Sequence, residues 1–329
     1  MPRIYLISPD KHSYKANLHC HTTNSDGVFS PAEIKRLYME YGYSIVAFTD
    51  HWHYFDNSAL SDGNFLALSG YELNYDLLEQ KPGGSRLKKT CHLCAIALDP
   101  RNCTPIPGKG IYDINYINQC IAQLNANGFI VNLNHTAWSA MPLQDILSIE
   151  GIKGMEVYNS TCEYVFNTSG EANNYSLAIA NGRRLLPIVT DDNHRGARTP
   201  SAPYATPDCC RAFVMLRADR LDTEDIINAY LAGDFYCSNG PLIHEAYIEN
   251  DRLHIECSPV SRAYLKSEYI TLLTPVIRQD DTLTSVDFDI SMYRSDSSYI
   301  SVQLVDSRGR FAMTVPYYFS KESNLQGRH

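Results

Sequence analysis

No stretch of this chain is apolar and long enough to cross a bilayer, and its first residues, "MPRIYLISPDKHSYK", lack the hydrophobic run of a secretory signal. We therefore expect neither a membrane segment nor a targeting segment. A basic excess is also missing. Lysine and arginine number 28 against 37 acidic residues, a net charge of -9 that argues against binding long nucleic acid through its backbone. There is no internal repeat and no low-complexity tract. Cysteine occurs ten times, but not as a disulfide framework or a zinc-finger pattern. Cys91-x-x-Cys94 has no second pair to complete it, and Cys209 directly precedes Cys210. Cys20, Cys91, Cys94 and Cys120 lie in apolar segments, as buried free thiols do. A reducing, cytoplasmic setting is the expectation.

What the chain has is alternation. Up to about residue 240, short apolar runs alternate with amphipathic ones. "ANLHCH" reads as a strand, and "SPAEIKRLYMEYG" as a helix with Ser30 at the N-cap, Pro31 at the first position, Glu33 closing a capping box and Gly42 as its stop. "SIVAFTDH", "FLALSGYEL", "CHLCAIAL", "FIVNLNH", "GMEVYN" and "LLPIVTDDNH" read as further strands, with Gln80 to Thr90 as a loop rich in glycine and lysine. Strand and helix in turn predict parallel strands joined by crossover helices, and six or seven such units predict a closed or nearly closed α/β barrel. After Gly240-Pro241 the pattern becomes that of antiparallel strands, with hairpins at Asn250-Asp251 and Ser307 to Gly309. "YITLLTPVI" and "SVDFDISMY" read as strands there. Residues 1–240 are thus expected to form the barrel, and residues 241–329 a small antiparallel β-sandwich.

The ionisable residues fall on this map in one pattern. In "NLHCHTTNSDG", His19 and His21 are two apart on a strand and share a face. Asp26 lies in the following turn, His51 ends "FTDH", Glu72 ends "GYE", and His135 ends "LNH". Asp192 and His194 end "TDDNH". Only His92, opening an apolar run, departs from the rule that each sits at a strand's C-terminal end, the rim where barrel enzymes build their sites. Six histidines and three carboxylates exceed what one zinc ion takes, so two or three divalent ions are expected, with one carboxylate bridging. Imidazole and carboxylate donors suit zinc, manganese or iron. Several such ions outweigh three carboxylates and leave the cleft positive, which favours a phosphoester over a neutral amide.

These residues resemble the polymerase and histidinol phosphatase (PHP) family. "LHCHTTNSDG", "FTDH", Asn134-His135 and "DNH" resemble its four motifs, and Glu72 in "GYEL" and His92 in "CHL" its intervening ligands. The resemblance spans roughly residues 15 to 240. It implies a distorted (β/α)7 barrel and a metal-bridged hydroxide that attacks phosphorus. It also implies one metal on His19, His21, Glu72 and Asp192. Glu72 would bridge to a second metal on His92 and His135, and a third would sit on Asp26, His51 and His194. Asn17 stands where the family often has aspartate, and Thr136 where it often has proline.

Further candidates surround this set. Asp50 and Asp191 either orient histidines or cap turns. Arg195 and Arg198 would fork onto a phosphate, Asn159 would contact substrate, and His53 would line the site. The expected substrate is a small phosphomonoester, a nucleotide or a short oligonucleotide. Alternatives are amidohydrolase-like cleavage of a cyclic amide, although no lysine sits at a strand end to bridge metals, and a non-catalytic, metal-stabilised binding module.

Overall fold

The structure, a computed structural model, is described for residues 3–194, 208–269 and 276–319. By its internal contacts the chain forms two compact units. The larger is Tyr14–Val214 with Arg220–Asn228, and the other is Met1–Ser13 and Met215–Asp219 with Ala229–His329. The boundary is therefore not one point near residue 240. Ile4 and Tyr5 pair with Ile248 and Tyr247, which draws the start of the chain into the smaller unit. Phe235–Ser238 joins that unit too, as a strand paired with Phe311–Thr314.

Seven strands organise the larger unit: β1 (His12–Asn17), β2 (Ile45–Phe48), β3 (Leu66–Lys81), β4 (Gly84–Ala97), β5 (Phe129–Leu133), β6 (Gly154–Asn159) and β7 (Leu186–Thr190). They lie side by side in chain order. β1, β2 and β3 run parallel, as do β5, β6 and β7. The two ends of this series meet. Cys20 bridges to Asn193, the His21 N–H donates to the Asn193 carbonyl at 3.2 Å, and the Asp192 N–H donates to the His19 carbonyl at 3.0 Å. One layer further in, Asn17 Oδ1 accepts the Asp191 N–H at 3.0 Å.

β4 breaks the expected alternation. It pairs antiparallel with both β3 and β5, so β3 and β4 are a long hairpin and not two units of a crossover series. Gln80 to Thr90, expected as a loop, is mostly strand, and Lys81 pairs with Gly84 across a tight turn. Gly83 and Gly84 have φ of 91° and 117°, values that only glycine adopts without strain. Glu72 consequently lies inside a 16-residue strand and not at its end.

Helices close the outside of the larger unit. α1 (Pro31–Glu40) starts with the capping box that its sequence encodes, since Ser30 and Glu33 satisfy each other's backbone N–H groups. Its Ile34 and Tyr38 face inward. α2 (Ile114–Ala126) buries Ile117, Cys120, Ile121 and Leu124, the i, i+3, i+4, i+7 stripe of an amphipathic helix. All four residues of β2 are buried, as a parallel strand covered on both faces requires. Fully burying a side chain such as Phe48 contributes roughly 1.5–3 kcal/mol, and such burial fixes where each strand's end, with its polar residues, emerges.

The smaller unit holds two antiparallel arrays. One orders Ile4–Tyr5, Ile243–Glu249, Arg252–Val260 and Leu283–Asp289. The other joins Val276–Ile277, Arg262–Lys266, Tyr299–Val305, Phe311–Thr314 and Phe235–Ser238. Of the expected strand "YITLLTPVI", residues 270–275 lie outside the described residues. "SVDFDISMY" is strand only to Asp289. There the carboxylate accepts the Ser291 N–H at 2.9 Å, and a helix, Ser291–Asp296, follows. Among the described residues no helix is long and apolar enough to cross a membrane.

Candidate metal centre

Beyond the ends of β1, β2, β5 and β7 the chain leaves its strands carrying histidines, and the β3–β4 hairpin adds Glu72 and His92 from within. Glu72 and His92 do not oppose each other directly: Glu72 faces Cys94 and His92 faces Asn74. Two of the turns hold unusual backbone. Trp52, after His51, has φ of 67°, and Asp192 has φ of 50°. The left-handed region is costly for most residues and concentrates at functional sites.

The nine expected donors converge. His19 Nε2 lies 3.1 Å from His21 Nε2, 3.1 Å from Asp192 Oδ1 and 3.3 Å from Glu72 Oε1. His21 Nε2 is 3.0 Å from Asp192 Oδ1. Glu72 is the hub: its carboxylate also reaches His51 Nδ1 at 3.0 Å, His92 Nδ1 at 3.1 Å and His135 Nε2 at 3.3 Å. Asp26, at the outer edge, stands 3.5 to 3.7 Å from His194, His51 and His21. Donor atoms of His21, Asp26, His51 and His194 all fall within 4.8 Å of one another, and so do those of Glu72, His92 and His135 and those of His19, His135 and Asp192.

This set fits divalent ions by two observations. First, donors around a tetrahedral ion at about 2.0–2.1 Å sit about 3.4 Å apart, close to the spacings found. Second, several of these buried atoms touch polar neighbours without hydrogen-bonding to them. Among the described residues His21 Nδ1, His51 Nδ1 and Asp192 Oδ1 make no well-aligned hydrogen bond, although Asp192 Oδ1 is about 3 Å from two imidazoles. Lone pairs packed this way point at a shared centre.

The electrostatics follow from the crowding. Burial disfavours the charged form of His19, but Asp192, Cys94, Glu72 and Glu156 together hold its pKa well above the usual value. His51 responds likewise: burial lowers it, and Glu72, Asp26 and Asp192 lift it to about 9. His135 is raised by Glu72 and Asp192 against the same burial penalty. His21 is pushed well down, first by burial and then by His194 and His51, and His92 is lowered mainly by burial. Burial raises Glu72, but the histidines around it outweigh that and hold its carboxylate well below the usual range.

Residues that the sequence pattern did not single out hold the donors from behind. Glu156, fully buried on β6, accepts from His19 Nδ1 at 2.8 Å, Thr190 Oγ1 at 2.6 Å, the His135 N–H at 2.8 Å and Asn159 Nδ2 at 2.9 Å. Ser139 lies 3.1 Å from His135 Nδ1, and the Asp192 carbonyl accepts from His194 Nδ1 at 2.8 Å. In all three histidines this leaves Nε2 toward the site. Asn134 Nδ2 donates to Glu72 at 2.7 Å. Cys94, expected as core packing, is buried with its sulfur in a donor set with His19 and Glu72. The signal for it was present, because Cys94 follows His92 by two residues and so shares its strand face.

The other candidates are placed differently. Asp50 accepts from the Thr22 N–H, Thr22 Oγ1 and Ser25 Oγ, holding the turn between His21 and Asp26. Asp191 accepts from Tyr38 and Ser160 and from the N–H groups of Cys210, Arg211 and Ala212. Burial lifts its pKa to about 6. Asn159 caps the helix Ser160–Tyr164 and donates to Asp192 Oδ2 at 3.0 Å, so it supports a ligand candidate. His53 is exposed. Arg195 and Arg198 lie outside the described residues.

The donors open into a cavity of about 430 Å³ whose lining includes Asp26, His51, Glu72, His92, His135 and Asp192. Neither a protein-family model nor a curated protein matches the chain. Solved structures do. A two-domain protein from Bacteroides vulgatus containing a predicted PHP-like metal-dependent phosphoesterase aligns over 97% of this chain and 99% of its own, at 14% identity and a TM-score of 0.45. A candidate metal-dependent phosphoesterase from Bifidobacterium adolescentis aligns over 67% of this chain and 98% of its own, at 15% identity and a TM-score of 0.41. An amidohydrolase from Chromobacterium violaceum, with bound sulfate and no metal, aligns over 67% and 96%, at 15% identity and a TM-score of 0.40.

Proposed function

We propose that this protein is a metal-dependent phosphoesterase acting on a small phosphorylated substrate, such as a phosphomonoester, a nucleotide or a short oligonucleotide. The observation that carries the reading is the convergence of six imidazoles and three carboxylates, four and three of which line one cavity, with Glu72 in contact with five of the histidines. His19, His21, Glu72 and Asp192 would hold one ion, Glu72, His92 and His135 a second, and Asp26, His51 and His194 a third. Zinc, manganese or iron there would activate water and neutralise charge on the phosphoryl oxygens.

The chain's own contribution is positioning. Glu156, Ser139 and the Asp192 carbonyl fix three ring orientations, while Asn134 and Asn159 fix the two buried carboxylates. A cavity of this size suits a small ester. The same reading takes β1 to β7 as a distorted (β/α)7-type barrel, supported by the Cys20–Asn193 bridge, and the two antiparallel arrays as a small β-sandwich domain. Ten cysteines, none of them in a disulfide, support a cytoplasmic setting.

The test joins metal analysis to a hydrolysis panel. Protein stripped with chelator and reloaded with zinc, manganese or iron(II) is offered phosphomonoesters, nucleotides, phosphodiesters and cyclic amides. We expect two to three ions per chain and phosphate or nucleotide release that His19→Ala or Asp192→Ala abolishes. Full activity in those variants, or turnover of cyclic amides alone, overturns the reading.

A further inference from the structure

The cavity has two unlike walls. One is the donor set. The other is apolar: Val28, Trp138, Cys162, Val165 and Phe166. Trp138 stands edge-on to His135, with centroids 5.1 Å apart, and to His92 at 5.6 Å. Its far side meets Phe166 at 5.7 Å, tilted by 45°. The donors have no need of this surface. Yet Phe166 is 49% exposed and Val28 52%, in a pocket whose lining beyond the five apolar side chains is, Thr161 apart, imidazole and carboxylate. Exposed apolar side chains grouped beside a polar pocket mark a place that a ligand covers.

The chemistry of the occupant can be narrowed. The side chains beside Trp138 in that lining, Cys162, Val165 and Phe166, offer it no charge, only apolar surface. Aromatic side chains would pair best with another flat ring, through offset or edge-to-face contact.

The geometry points to Trp138 and Phe166 as the seat for a flat aromatic group, which makes the substrate a phosphoester of an aryl or similarly planar ring alcohol. This rests on the phosphoester reading and adds its specificity. In the reaction, the oxygen of water bonds to phosphorus and the ester P–O bond breaks. The ring alcohol leaves with a proton that the water gives up.

Phosphonates test the seat without the chemical step, because their P–C bond is not hydrolysed. Methyl-, cyclohexyl- and phenylphosphonate are titrated by calorimetry into metal-loaded full-length protein, native, Phe166→Ala and Phe166→Trp. Phenylphosphonate should bind the native protein about tenfold more tightly than methylphosphonate, the scale of one aromatic stacking contact, and more tightly than cyclohexylphosphonate. Phe166→Ala should collapse the phenyl-to-methyl preference toward one, and Phe166→Trp should keep it. Phe166 is half exposed, so the variants should fold, and a melting curve checks this. A preference unchanged in Phe166→Ala, or cyclohexyl binding as tight as phenyl, overturns the aromatic seat alone. Failure of every phosphonate to bind metal-loaded protein overturns the phosphoester reading along with it.

Discussion

Glu156 Oε1 lies 2.8 Å from Nδ1 of His19, on the side of the ring opposite the nitrogen that faces Asp192. A carboxylate there fixes which nitrogen carries the proton and leaves the other free to bind a cation. Replacing Glu156 by glutamine keeps the volume but puts an amide where four donors converge. Metal affinity should fall about 10- to 100-fold, measured by competition with a chromogenic chelator, while the far-ultraviolet circular dichroism stays native. Unchanged affinity would show that His19 is oriented by other means.

Glu72 should be the least replaceable ligand candidate. Its two oxygens serve His19, His21, His51, His92 and His135, so Glu72→Ala removes a donor from more than one ion at once. Elemental analysis should find at least two ions fewer per chain, whereas Asp26→Ala, at the exposed edge, should cost at most one. Equal losses in the two variants would contradict the bridging role.

Metal binding should release protons. Without ions, carboxylates hold His19, His51 and His135 above the ordinary imidazole value, His51 at about 9, so the His51 ring carries a proton at neutral pH that a cation must displace, and the other two are biased the same way. Raised pKa values in the metal-free state mean that affinity climbs as pH rises toward 9 and falls below neutrality. Calorimetry in two buffers of different ionisation enthalpy counts the protons. A count of zero at pH 7 would contradict these assignments.

Gly27 should tolerate no side chain. A Cβ there would stand 2.6 Å from the His21 carbonyl carbon and oxygen and 2.7 Å from the Thr22 nitrogen, all backbone atoms. Gly27→Ala must therefore shift the turn between His21 and Asp26. It should lower stability by about 1–3 kcal/mol, as overpacking does, and weaken binding of the outermost ion. Denaturant unfolding with and without metal separates the two effects.

The donors were legible in the sequence because they obey one geometric rule, placement just past a strand's end, which leaves a mark at fixed offsets from apolar runs. His92 and Glu72 break the rule, and the hairpin explains why: both sit within long strands, with Glu72 projecting toward the other donors from mid-strand. That hairpin was hidden because Pro82-Gly83-Gly84 and the flanking lysines have the composition of a loop, and pairing with a partner strand overrode it. Glu156 was missed for a different reason. A lone glutamate between Met155 and Val157 looks like any polar residue in a strand, and only its contacts with Thr190 on β7 and with His19 just past β1 reveal its role. The start of the chain joins the smaller unit through pairing at Ile4 and Tyr5, which two residues cannot announce.

The seam between Cys20 and Asn193 has a consequence for timing during synthesis. One side of it carries His19 and His21, and the other carries Asp192 and His194. A nascent chain presents these two imidazoles early, yet it lacks their opposing carboxylate until synthesis reaches residue 192. On the proposed reading, tight capture of a cation waits until these two ends meet, and a chain halted short of residue 192 would leave the earlier histidines with a weak, incomplete grip.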